Sequence, residues 1–295
     1  MRLIVQPEAG IAPVVQAIRK ARTSISICIF RLDRDEIEQA LAAAVQRGVA
    51  VTAMIAHTNR GGESALRKLE QRLLAAGVTV SRTGDDLTRY HAKYMVADSV
   101  LHVFGFNFTK LDIDKSRSFA ISTRDRRAVA DAVKLFTADS CRQSYVPGRS
   151  HLVVSPETAR TALTAFIKGA RRQLCIYDLK VHDAAIVKLL NERAKAGVDV
   201  RVIGAIKGAS DHVRVCKPGM RLHVRAIVRD GLRAFVGSQS LRKEELASRR
   251  EVGLLVNNPT VARRLLQVFE ADWEAWAPQA KGADAEAELA ASAAG

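Results

Sequence analysis

Residues 3–22, LIVQPEAGIAPVVQAIRKAR, recur at 152–171 as LVVSPETARTALTAFIKGAR, without a gap and at an offset of 149. Pro7 stands over Pro156, Glu8 over Glu157, and Ala21-Arg22 over Ala170-Arg171. The same offset carries SISICIF (24–30) onto QLCIYDL (173–179), and QRGVAVTAMI (46–55) onto KAGVDVRVIG (195–204). That period is too long for a solenoid and is the size of a domain, so the chain reads as two fused copies of one fold.

Each copy has the same local pattern. A proline precedes an apolar stripe of helical spacing (11–18 and 160–167), a β-rich run follows, and a second helix (35–47 and 183–196) stops at Gly48 or Gly197. VAVTAMI and VDVRVIG then read as strands. This βαβαβ order predicts an α/β/α domain with a mixed, mostly parallel sheet flanked by helices. Residues 63–76 predict a helix in the first copy only, and helices near 125–138 and 260–274 close the copies. The domains are accordingly 1–145 and 146–277, joined through YVPGRSH (145–151). Residues 278–295 turn Ala/Glu/Gly-rich, lose periodicity and are expected to be a disordered tail.

The net charge is +15, from 46 Lys/Arg against 31 Asp/Glu. It is spread evenly: 23 against 15 in residues 1–150 and 23 against 16 in 151–295. A basic surface over both copies attracts nucleic acid, anionic lipid headgroups or phosphate esters, and it is unlike a charged disordered arm. Four scattered cysteines form no CxxC pair, which argues against a disulfide framework or a zinc site. No apolar run reaches the roughly 18 residues of a membrane span, and the N-terminal apolar run is too short for a signal peptide. A cytoplasmic protein, with a peripheral membrane role open, is the expectation. Trp273 and Trp276 close the last helix as packing residues.

The chemistry is concentrated after the third strand of each copy. The first copy reads RYHAKYMVAD (89–98), with His91 and Lys93 two apart and therefore on one face of a strand, and Asp98 five after the lysine. VLHVFGFNFT (100–109) follows with Gly105 and Asn107. The second copy reads RLHVRAIVRD (221–230), giving His223, Arg225 and Asp230 at the same spacing, then AFVGSQSL (234–241) with Gly237, Ser238, Gln239 and Ser240. His91 to His223 is an offset of 132, so the second copy has lost 17 residues where the first has its extra helix. His57, His102, His151, His182 and His212 have no counterpart and read as structural or surface residues.

Such a set suits a phosphodiester. Its negative charge repels nucleophiles, so a site needs cations, a nucleophile and an acid for the leaving oxygen. Of two histidines, the neutral one attacks phosphorus and becomes a phosphohistidine. The protonated one gives its proton to the leaving alcohol and takes one back in the second step. Lys93 and Arg225 offset charge on the phosphoryl oxygens, and Asn107, Ser238, Gln239 or Ser240 donate further hydrogen bonds. This chemistry needs no metal or other cofactor.

These two stretches resemble the phospholipase D superfamily, which is marked by His-x-Lys, four residues, Asp and a Gly-Ser-x-Asn-like element, with two copies meeting at one site. YHAKYMVAD and FGFNFT look closest to its cardiolipin-synthase-like bacterial branch. The resemblance implies that His91 is the nucleophile and that Glu251, in SRREVGLLV, orients a histidine. The first copy has SRSFAIST in that place, so neither Ser118 nor Phe119 can do the same work. Arg225 stands where the family has Lys and Ser240 where it often has Asn; without gaps, Asn107 falls opposite Gln239, one amide facing the phosphate from each copy. Asp98 and Asp230 read equally as members of the site or as turn residues. The Lys/Arg cluster at 242–250 reads as a solvated rim or as a guide for a polyanion. Three functions follow: a phospholipase D or phosphatidyltransferase acting on lipid headgroups, a nuclease of the same superfamily, or a phosphate-binding module without turnover. No signal bears on oligomeric state.

Overall fold

The computed structural model describes residues 1–59 and 61–277; the expected tail at 278–295 lies outside them. The first copy begins with β1 (Arg2–Gln6), α1 (Ala12–Lys20), β2 (Ser24–Ile29), α2 (Asp35–Gln46), β3 (Ala50–Ile55), α3 (Gly62–Ala75) and β4 (Thr79–Arg82). It ends with β5 (Arg89–Tyr90), β6 (Tyr94–Ala97), β7 (Val100–Phe104), α4 (Lys110–Asp114), β8 (Ser116–Thr123) and α5 (Arg126–Ser140). The second runs β9 (Leu152–Ser155), α6 (Ala159–Lys168), β10 (Gln173–Val181), α7 (Ala184–Lys195), β11 (Asp199–Ile206) and β12 (Val213–Cys216). It closes with β13 (Arg221–Leu222), β14 (Arg225–Arg229), β15 (Arg233–Gly237), α8 (Lys243–Ala247), β16 (Arg249–Val256) and α9 (Pro259–Trp276). The helix confined to the first copy is α3, and Gly48 (φ 84°) and Gly197 (φ 88°) end α2 and α7 in the left-handed conformation that favours glycine.

The two sheets have one topology, β1-β8-β7-β6-β2-β3-β4 and β9-β16-β15-β14-β10-β11-β12. In the first, β1, β7, β2, β3 and β4 point one way and only β8 and β6 are reversed, so the sheet is mixed and mostly parallel in strand direction. Direct parallel pairing is nevertheless confined to one side, β2-β3-β4, because the two reversed strands sit between forward ones. The second sheet repeats this arrangement.

Apolar alternation sorts side chains to two faces of each sheet. The outer face of the first packs on α1, α2 and α3, with Ile18, Leu41 and Leu73 fully buried; that of the second packs on α6, α7 and α8, with Leu163, Leu190 and Leu246. The inner faces share one core with α5 and α9, where Tyr94, Phe119, Tyr177 and Phe269 meet. Cys28, Cys175 and Cys216 are buried and free, and Cys141 is exposed and free.

Two features tie the copies together. Each sheet receives a two-residue strand from the other copy: β13 lies parallel to β8, and β5 parallel to β16. Beside each graft lies a buried arginine. Arg117 binds the Gln6 carbonyl, Glu8 and Asp272; Arg250 binds the Ser155 carbonyl, Glu157 and Asp139. Asp272 is on α9 and Asp139 on α5, so each network crosses between copies. Arg250 is 4% exposed, which removes it from the expected solvated rim. Its neighbours Arg242 and Arg249 are both tied to buried Glu245.

Candidate active site

The grafted strands place the histidines. Arg89 and Tyr90 pair with Arg249 and Arg250, and the next residue, His91, donates its backbone N–H to the Arg250 carbonyl at 2.8 Å. Arg221 and Leu222 pair with Ser116 and Arg117, and His223 donates to the Arg117 carbonyl at 3.1 Å. Each motif histidine is thus positioned by the other copy's sheet. Ala92 and Val224 point into the core, which turns His91 with Lys93, and His223 with Arg225, to the opposite side. The two imidazole rings face each other with centroids 6.5 Å apart, and their side chains keep only 12% and 14% exposure.

The surroundings of the rings differ. His91 Nδ1 lies 3.0 Å from both carboxylate oxygens of Glu251, which is fully buried, and His91 packs edge-on against Phe30. A carboxylate at Nδ1 holds the ring hydrogen there and leaves the Nε2 lone pair free. Lys93 Nζ donates to that Nε2 at 2.9 Å and to the His91 carbonyl at 2.6 Å. Burial, then Lys93 and Arg225, hold the imidazole well below its usual pKa, so it is neutral. Burial raises the Glu251 carboxyl against the pull of Lys93 and Arg225. Burial also pushes the Lys93 ammonium down to about 7, even with Glu251 nearby.

His223 Nδ1 instead donates to the Gly105 carbonyl at 2.9 Å, and Ser118 Oγ donates to the His223 carbonyl at 2.6 Å. Gly105 itself sits in a tight place, since a Cβ there would stand 3.0 Å from the Phe119 carbonyl, 3.2 Å from Ser118 Oγ and 3.3 Å from the Gly237 carbonyl. His223 Nε2 has Asn107 Nδ2 at 3.3 Å and Asp112 Oδ2 at 3.5 Å. Burial and then Arg225 lower its pKa, and Asp112 opposes them.

The other sequence-predicted residues divide sharply. Asn107 joins the site. Gln239 does not: its amide donates to the Val153 carbonyl at 2.9 Å. The expected Asn107–Gln239 pairing fails because the β14–β15 turn, Asp230–Leu232, is one residue longer than Asp98–Ser99 between β6 and β7. Beyond that turn the offset is 133, and Gly105 and Ser238 donate to Phe119 and Val252 in equivalent bonds. Asn107 therefore corresponds to Ser240. Ser240 donates to Asp178, a buried acid opposite Arg225, while Ser238 exchanges hydrogen bonds with Val252. Asp98 and Asp230 lie at the far ends of the hairpins. Asp98 accepts the backbone N–H groups of Arg22, Thr23 and Ser24, and Asp230 those of Arg171, Arg172 and Gln173. Both adopt left-handed φ, 49° and 56°, as turn residues. The structure does not bring them to the histidines.

Asp112, Asp178 and Arg221 were missed by the motif reading. Asp112 had a signal, because the offset of 133 puts Glu245 in its place and both are acidic. Asp178 had none, since Ile29 is its counterpart. Arg225 makes no side-chain hydrogen bond to the described residues, and its Nε is buried without a partner. His102 is bound to Ser122, and His151 to Asn257; neither reaches the site.

Two grafted strands thus set paired histidines beside a lysine and an arginine at the seam of a duplicated α/β fold. The chain belongs to the family described as "Cardiolipin synthase, PLD-like domain", whose sequence pattern matches residues 14–140 and 163–273. That family lies in the phospholipase D superfamily, whose members are phosphoryl-transfer enzymes. Polyphosphate kinase from Porphyromonas gingivalis shares the fold with a TM-score of 0.75 and 20% identity, over 91% of this chain and 49% of that one. The present chain thus spans about half of that protein. Phosphatidylserine synthase from Haemophilus influenzae Rd KW20 shares it with a TM-score of 0.67 and 11% identity, over 91% of this chain and 84% of that one. No curated protein matches the sequence. No described helix is long and apolar enough to cross a membrane.

Proposed function

We propose that the chain is a phospholipase D-type phosphodiesterase or phosphatidyltransferase that cleaves phospholipid headgroup phosphodiesters through a phosphohistidine on His91. The observation that carries this reading is the pair of rings 6.5 Å apart, each fixed at Nδ1 by the other copy. In-line displacement needs reacting atoms about 3–3.5 Å from phosphorus, which one phosphoryl group between the rings satisfies. His91 Nε2 attacks phosphorus, the bond to the leaving oxygen breaks, and that oxygen takes the Nε2 proton of His223. Water or an acceptor alcohol then loses its proton to His223 and attacks phosphorus, and the P–N bond electrons return to His91.

Lys93, which occupies His91 Nε2 in the resting site, moves onto a phosphoryl oxygen as substrate enters. Arg225, with its buried Nε–H unsatisfied, holds a second. No step is routed through a metal. Residues 1–145 and 146–277 act as half-sites, because each histidine depends on the other copy. Docking to an anionic membrane surface at the edge of the cytoplasm suits a lipid substrate and the charge of +15.

The same charge supports a second reading, a nuclease acting on DNA or RNA. Incubation with phosphatidylcholine, phosphatidylglycerol and plasmid DNA, each with and without EDTA, separates the two. Headgroup release unaffected by EDTA is expected, and it is lost in His91→Asn. Metal-independent nicking without headgroup release would move the substrate to nucleic acid. No turnover of any substrate, with inorganic phosphate still bound, would leave a phosphate-binding module.

A further inference from the structure

We propose that Asp112 is the positioning residue that makes His223 the proton donor of the pair, by holding the proton on Nε2. This rests on the two-histidine reading above. Asp112 is 2% exposed and lies on the single turn of α4. Its Oδ2 accepts Asn107 Nδ2 at 2.7 Å and the Asn107 backbone N–H at 3.1 Å, and stands 3.5 Å from His223 Nε2. Its Oδ1 accepts Arg221 Nη1 at 2.6 Å. One carboxylate thus gathers the amide of the first copy and two side chains of the second, His223 and Arg221, that stand two residues apart.

The contrast with the other ring gives the role. Glu251 sits behind His91, at Nδ1, and leaves Nε2 as a lone pair. Asp112 sits in front of His223, 3.5 Å from Nε2, where Asn107 Nδ2 also approaches as a donor at 3.3 Å, while Nδ1 is taken by a carbonyl that only accepts. With a hydrogen already at Nδ1, the Asp112 anion near Nε2 favours the doubly protonated ring, and hence an acid, against the burial and the Arg225 charge that hold this imidazole well below its usual pKa. The counterpart Glu245 is held by Arg242 and Arg249. The groups facing His223 are Asp112 on α4, Asn107 after β7, Lys93 and His91 before β6, and Arg225 and Arg221 on its own copy. Among them Asp112 is the anion, and burial does not discharge it: the His223 ring, Arg221 and Asn107 together hold its carboxyl below the usual range.

The reaction consumes the proton at Nε2, and Asp112 stays ionised throughout. The general acid must be protonated for the first step, so activity falls as pH rises through the His223 pKa. Asp112→Asn is expected to move that alkaline limb of kcat/KM down by about one pH unit. Aryl phosphodiesters separate this from a loss of shape. Bis(4-nitrophenyl) phosphate, whose leaving group departs without a proton, is expected to lose less than about 3-fold, and diphenyl phosphate about 10²-fold. Arg221→Gln removes the competing cation and is expected to move the limb upward; its side chain is 41% exposed, so the fold tolerates the change. If Asp112→Asn does not fold, the direction of the Arg221→Gln shift decides alone. Equal losses on both substrates with no limb shift, or an Arg221→Gln limb that stays or falls, would overturn the role. If His91→Asn retains activity, the two-histidine reading itself fails. If only the Asp112 shifts are absent, that reading stands and this inference falls.

Discussion

The two halves of the site are built alike and chemically equipped differently. In both, a two-residue strand from one copy pairs with the last strand of the other, and a buried arginine of that last strand is joined to two acids, one of them from the opposite copy. At the first, His91 has a carboxylate at Nδ1 and a lysine at Nε2; at the second, His223 has a carbonyl at Nδ1 and an amide and a carboxylate at Nε2. Duplication supplied the geometry, and divergence of a few polar residues gave equivalent rings unequal hydrogen-bond partners.

The sharpest way to break this comparison is to remove the rings one at a time. His91→Asn is expected to lower kcat about 10³–10⁴-fold on every phosphodiester, whatever its leaving group. His223→Asn is expected to match that loss on alkyl esters and, in kcat/KM, which reads the first step alone, to be about 10²-fold milder on bis(4-nitrophenyl) phosphate. Equal losses for both variants on both substrates, read by steady-state kinetics, would erase the division of labour. The residues behind the rings sharpen it further. Glu251→Gln is expected to cost about 10²–10⁴-fold in kcat by releasing the tautomer, and Ser118→Ala, at the equivalent place, less than about 3-fold.

Where the copies are alike, equal effects are expected. Asp139→Ala and Asp272→Ala each leave a buried arginine short of an acid, and each is expected to cost about 3–5 kcal/mol in urea denaturation. Lys93 gives a pH test. Burial holds its pKa at about 7, below the 10.5 of the unfolded chain. At this group the unfolded state therefore binds an extra proton between those values, so the Lys93 contribution to stability rises with pH across that window, by up to about 1.4 kcal/mol per unit. Lys93→Met is expected to abolish this slope, and inorganic phosphate is expected to bind more weakly to the wild type as pH rises through about 7. The smallest effect is expected at the hairpin turns: Asp98→Ala and Asp230→Ala each lose about 1–3 kcal/mol of stability with specific activity intact.

The fold was legible because apolar periodicity and the offset of 149 are local properties of the chain. All long helices and the duplication of one α/β fold followed from them, and the spacing of two put His91 and Lys93 on one face; the antiparallel edge β1-β8 did not follow. The grafted strands were not, since β5 and β13 are two residues each and exist only by pairing with the other copy. The Asn107–Gln239 expectation failed on a single extra residue in a turn, which shifts every later correspondence by one. Asp98 and Asp230 sit five residues after their motif cations, but a short strand carries them to the opposite end of the sheet. Sequence spacing is blind to that direction. Asp112 lay outside the motif; acidic Glu245 at the corresponding place was its one signal, and α4 sets it 3.5 Å from His223 Nε2.

The most direct measurement is a rapid-quench reaction with bis(4-nitrophenyl) phosphate followed by peptide mass spectrometry. The expected result is a burst of about one equivalent of nitrophenol per site, and a 4-nitrophenylphosphoryl adduct on His91 that is absent from His91→Asn. An adduct on His223, or turnover with no covalent species on either ring, would contradict the assignment of nucleophile and acid to the two copies.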